Sequence, residues 1–158
     1  MSYELINQSL EICKTFSRQT WVKALELARL YGWQPSGTRP PSFLDFCQLG
    51  AEWHGTYLTN DGQVVKAEDA FCLAAALERS LDDIPDASEP IDWSSKFWLE
   101  DPLPEWFSPA ERAIIEEGLV DGLLDIIGTH PLEYFAGAEK QYLIEFIRFC
   151  RLGSFEIV

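Results

Sequence analysis

The sequence predicts an α+β fold, mainly helical, with four to five helices around one core and a small sheet built from a β-hairpin and a C-terminal strand. Three observations carry that expectation. Apolar residues recur at helical intervals in QTWVKALELARLY and KAEDAFCLAAALERSLDDI, Asp61-Gly62 separates two short strand-like runs, and Phe155 to Val158 alternate at the end. The 158 residues are read as one compact domain, 1–158, with a Pro-, Trp- and acid-rich ordered segment at 82–107.

In chain order, ELINQSLEICKTF spaces Ile6, Leu10, Cys13 and Phe16 like one face of a helix and is expected to run into the next element. From Gln19 to Tyr31, Trp21, Ala24, Leu25, Ala28 and Tyr31 form an apolar stripe, and Gly32 is placed to end the helix in the left-handed conformation. WQPSGTRPP carries Pro35, Gly37, Pro40 and Pro41 and reads as an ordered loop. GTYLTN and QVVK flank Asp61-Gly62, a dipeptide suited to a tight hairpin. The helix after it places Ala70, Phe71, Ala74, Leu77, Leu81 and Ile84 on one stripe, with Glu68 and Asp69 at the positive end of its dipole. SPAE at Ser108–Glu111 is a capping box with proline at the first helical position, predicting a helix to Ile127. The last helix turns Tyr142, Phe146, Phe149 and Cys150 inward before Gly153, and the final strand is free to pair near Tyr57.

Charge narrows the functional classes. The net charge is −14, and between Glu78 and Asp125 there are 14 acids against three bases. Such a field repels phosphate backbones and anionic membranes, so neither nucleic acid nor membrane is an expected partner. No run of about 18 apolar residues and no basic leader is visible, which leads us to expect a soluble, cytoplasmic protein. Cys13, Cys47, Cys72 and Cys150 lie scattered among apolar neighbours and read as reduced, buried thiols.

YLTNDGQVVKAE invites comparison with a calcium loop, because Gly62 and Glu68 stand six apart as that loop's glycine and bidentate glutamate do. The first and third ligand positions would then be Tyr57 and Thr59, which are poor ligands for such a site. The stretch is expected to shape backbone, and no metal or cofactor is expected. His54 and His130 have no histidine or cysteine at a zinc-ligand interval, and the sequence contains no nucleophile elbow or phosphate-cradling glycine loop. The proline after His130 marks a loop or a helix start.

WVKALELARLYGWQPSGT, WHGTYLTNDGQVVKAEDAFCLAAALE and LIEFIRFCRLGSFEI together resemble a recurring layout in a family of small bacterial proteins. That layout has a helix ending in GWxPxGT, a GxY…NxGQxV segment leading into DAxxLAxAL, and a terminal FIxFCRxGxFxI. The resemblance implies a bacterial, soluble, single-domain protein and carries over no catalytic residue.

The expectation for function is a non-enzymatic acidic interaction protein, of the immunity or inhibitor kind, that binds a basic protein partner such as a cationic toxin. Asp92, Trp93, Trp98, Glu100, Asp101, Glu105 and Trp106 are its candidate contact residues, since acids steer a basic partner and indoles supply contact area. The same indoles serve equally as core pegs. The alternative is a small-molecule or carbohydrate site, possibly hydrolytic, with Trp53, His54 and Tyr57 near the hairpin and a carboxylate pair.

Overall fold

The computed structural model describes residues 2–41, 53, 55–86, 109 and 130–158. In chain order these form β1 (Ser2–Asn7), β2 (Ile12–Ser17), α1 (Arg18–Leu30), β3 (Gln63–Val65), α2 (Ala67–Ser80), α3 (Pro131–Tyr134), α4 (Ala138–Cys150) and β4 (Phe155–Ile157). The fold is α+β: four helices among the described residues and a four-stranded antiparallel sheet of order β2-β1-β4-β3. Of the helix predicted from Ser108 only Pro109, which is helical and exposed, lies within the described residues.

The N-terminal segment corrects the helix expected there. Tyr3, Leu5 and Asn7 point inward and are buried, while Ser2 and Glu4 face water, a period of two. Residues 8–11 turn the chain, with the Leu10 amide donating to the Asn7 carbonyl at 3.3 Å and to its Oδ1 at 3.2 Å. Glu11 takes the left-handed conformation at φ 54° that lets β2 return. Tyr3 then faces Phe16 and Leu5 faces Lys14 across the ladder. Cys13, on the solvent side of β2, is exposed, as is Cys72 on α2, so burial holds only for Cys150 among the described cysteines.

α1 begins at Ser17, whose hydroxyl accepts the Thr20 amide at 3.1 Å, and ends through Gly32 at φ 93°, as the sequence predicts. Trp21 is fully buried and is the hub of the core: Tyr3, Phe16, Phe146 and Phe155 ring it at centroid distances of 6.1, 5.9, 5.8 and 6.4 Å. The second face of the helix is buried too, which encloses Lys23 and Glu26 as an ion pair at 2.7 Å. Tyr31, expected in the stripe, is half-buried and donates to Asp83 at 2.5 Å.

The hairpin expected around Asp61-Gly62 does not form. β3 exists, but residues 57–62 turn instead of pairing with it, and β3 takes β4 as its ladder partner. Gly62 does reach φ 83°, and its amide bonds the Ile157 carbonyl at 2.8 Å. α2 buries Ala70, Leu73, Ala74 and Leu77 against α1 and α4, but Phe71 is 45% exposed and does not belong to the inward stripe. α4 and β4 fall where the sequence places them, with Phe146, Phe149 and Cys150 inward.

Both outer strands have their edges partly occupied. Arg39 exchanges backbone bonds with Val64 at 2.8 and 2.9 Å on the free side of β3, and the Tyr142 hydroxyl donates to the Thr15 carbonyl on the free side of β2. Among the described residues no helix is long and apolar enough to cross a membrane.

Candidate functional site around Asp69

The polar residues that the fold gathers most tightly lie between the loop after α1 and the start of α2. Asp69, in the first turn of α2, is 2% exposed and accepts three hydrogen bonds. They come from Trp33 Nε1 at 3.0 Å, the Ser36 amide at 3.3 Å and the Tyr57 hydroxyl at 2.5 Å. Tyr57 in turn accepts the Gly37 amide at 2.9 Å, and its ring meets Trp33 edge-on at 5.3 Å. The Arg29 guanidinium lies 5.5 Å from the Trp33 ring centroid, adding a cation to one wall. A buried carboxylate is tolerated because each of these donors offsets the loss of water.

A second knot adjoins the first. The Gln63 side chain, fully buried in β3, accepts Thr38 Oγ1 at 2.8 Å and the Tyr57 amide at 3.2 Å. Its amide group donates to the Thr59 carbonyl at 2.6 Å and hydroxyl at 2.9 Å. Asp61 accepts Thr59 Oγ1 at 2.9 Å and the Gln63 amide at 3.3 Å. Those oxygens are turned to backbone and side-chain donors within the turn, as the sequence reading expects of a stretch that shapes backbone. Tyr57 itself stands at φ 63°, a strained position for a non-glycine residue. It is held there by Trp21 Nε1, which donates to its carbonyl at 2.6 Å. Gly55 has no room for a side chain: a Cβ there would stand 2.0 Å from Thr38 Oγ1.

The ionisation of these groups follows from their surroundings. Burial, reinforced by the hydrogen bond to Asp69 and its negative charge, pushes the Tyr57 phenol far above its ordinary range. Burial, with the field of Asp69 second, likewise raises the Cys150 thiol, so it is no thiolate nucleophile at neutral pH. Asp69 has three donors, and its hydrogen bonds fasten the loop 33–38 and the turn at Tyr57 onto α2. The arrangement is a staple.

Among the predicted site residues, Tyr57 is 2% exposed and part of this staple, and Trp53 is half-buried with Nε1 donating to the Thr38 carbonyl at 3.1 Å. His54 lies outside the described residues, as do Cys47, Asp92, Trp93, Trp98, Glu100, Asp101, Glu105 and Trp106. Asp69 was visible in the sequence only as a helix-dipole acid. Residues 33–38, Tyr57, Gln63 and Asp69 come from separate stretches that contribute to adjoining networks, which no single stretch announces. Among the described residues no group of three or more metal-binding side chains occurs.

His130 caps α3: its Nδ1 accepts the Leu132 amide at 3.1 Å, so of the loop and the helix start that Pro131 left open the structure has the helix start. Replacing His130 by alanine is expected to cost about 1 kcal/mol, and by aspartate much less, because the carboxylate restores the acceptor. Urea midpoints of the two variants check this; equal losses would show that the cap bond is not the source.

Comparison of the chain with protein-family models, with curated proteins and with solved structures yields no match.

Proposed function

We propose that the protein is a non-enzymatic interaction protein whose acidic middle captures a basic protein partner, in the manner of an immunity or inhibitor protein. The observation that carries this reading is the concentration of 14 acids against three bases between Glu78 and Asp125 in a chain of net charge −14. The start of that pole lies at the end of α2, where Glu78, Asp82, Asp83 and Asp86 are all exposed. Glu78, Asp82 and Asp83 sit at the negative pole of the helix dipole, where each acid costs about 0.3–1 kcal/mol. Intramolecular donors offset part of this: Arg151 reaches Glu78, Tyr31 donates to Asp83, and Lys140 meets Asp86 at 2.8 Å. The Lys140 ammonium also holds the Asp86 carboxyl below its usual range. A cationic partner would complete that neutralisation, and the long-range field would raise its rate of encounter.

The test is capture from bacterial lysate on the immobilised protein at low salt, followed by measurement of affinity for each retained protein after purification. The expected result is a basic partner whose binding weakens steeply with added salt and weakens again in the Asp82→Asn, Asp83→Asn, Asp86→Asn variant. Recovery of no basic protein, or binding indifferent to salt, would count against the reading.

A further inference from the structure

A different surface joins exposed apolar side chains to two bases and one acid. A groove of about 340 Å³ runs between β2 and the C-terminal half of α4, lined by Ile12, Lys14, Glu145, Arg148, Phe149 and Leu152. Its floor is apolar. Ile12 is 38% and Leu152 44% exposed, and Leu10, beside them at 51%, extends the patch. Asn7 holds this end of the molecule together, because its backbone and side-chain oxygens both accept the Leu10 amide while its Nδ2 donates to the Leu152 carbonyl at 3.5 Å. Exposed apolar side chains that are gathered and fixed in this way mark contact surfaces, whereas scattered ones do not.

The charges on the rim do not cancel. Lys14 and Glu145 pair at 2.7 Å, which satisfies both and lowers the Glu145 carboxyl. Arg148 is exposed and makes no ion pair among the described residues. Arg148 also helps to lower the Glu145 carboxyl three residues before it, so the two bases and one acid leave the rim with one net positive charge beside an apolar floor.

We propose that this groove binds a short segment of a partner protein in which an apolar side chain is followed by a carboxylate. The apolar group lies over Ile12, Phe149 and Leu152, and the carboxylate takes the Arg148 guanidinium, whose planar fork suits two parallel hydrogen bonds. A bilayer is a poor occupant, since a groove lined by six residues between a strand and a helix admits a single side chain and offers no flat face to a headgroup layer. The groove is open along its length, so it grips one side of a segment and leaves the rest to its parent protein. Strand addition at β2 is hindered, because Tyr142 already occupies the Thr15 carbonyl.

The test is titration of the ¹⁵N-labelled full chain with the blocked peptide acetyl-Leu-Glu-Leu-amide and with the same peptide carrying Lys in place of Glu. Amide shifts are expected at residues 10–14 and 145–152 with the Glu peptide, and affinity is expected to fall about fivefold for the Lys peptide and for Arg148→Glu. Equal response to both peptides, shifts elsewhere, or no shifts would overturn the proposal. Concentration-dependent shifts at the same residues without peptide would assign the groove to a second copy and overturn it as well. The outcome is independent of the acidic-pole reading, whose partner is basic.

Discussion

Asp69→Ala is expected to destabilise the protein by about 2–5 kcal/mol, because it strands two buried donors at roughly 1–3 kcal/mol each and also frees the part-buried Ser36 amide. Trp33 Nε1, the Ser36 amide and the Tyr57 hydroxyl would all lose their acceptor, and the loop 33–38 would lose its attachment to α2. Tyr57→Phe is expected to cost less, about 1–2 kcal/mol, since Asp69 keeps two donors and only the Gly37 amide is orphaned. A double-mutant cycle on the two positions, read by urea unfolding, should show strong coupling, the double variant costing little more than Asp69→Ala alone. Additive losses would mean that the three bonds do not act as one staple.

Lys23→Met is the second large effect, and its sign with pH is the informative part. Lys23 is fully buried and Glu26 is 4% exposed, and burial lowers the Lys23 ammonium and raises the Glu26 carboxyl despite their attraction. Desolvation therefore outweighs the Coulombic gain for each charge. Removing Lys23 leaves Glu26 with burial opposed only by the field of Arg29, so a loss of about 3–5 kcal/mol is expected at pH 7. A carboxyl whose folded pKa lies above its unfolded value costs stability at high pH, and the cost shrinks as pH falls below the folded pKa and is gone below the unfolded one. The deficit of Lys23→Met relative to the parent protein should accordingly shrink between about pH 7 and pH 5, toward the ordinary Glu value of about 4.3. Urea midpoints at the two pH values check this, and a deficit that stays constant or grows in acid would refute it. Lys23→Met with Glu26→Leu should recover most of the loss.

α1, α2, α4 and the last strand were legible because their information is local. Trp21, Ala24, Leu25 and Ala28 share one face of α1 whatever surrounds them, and Gly32 and Gly153 stop their helices through their own conformational freedom. The N-terminal hairpin was misread because Ile6, Leu10, Cys13 and Phe16 satisfy a helical spacing by coincidence. The structure buries a different set, Tyr3, Leu5, Asn7 and Phe16, whose period of two is interrupted by the turn at 8–11. That turn lacks an Asn-Gly or Asp-Gly pair and relies on Glu11 at positive φ, which no simple turn rule anticipates. Where Asp61-Gly62 did advertise a hairpin, β4 outcompeted the local partner for β3. The Asp69 staple was invisible because its donors lie 12, 33 and 36 positions away, and one sequence contains no signal of such distances.

The position of β4 has a consequence for the order of folding. This strand lies between β1 and β3, so the earliest and the middle portions of the chain have no common ladder until residues 155–157 have been made. During translation the β1–β2 ribbon can zip on its own, but one long side of it stays unpaired while the rest emerges. Completion of the sheet waits for residues 155–157 and is tied to closure of a very large loop, which makes it a late step in folding.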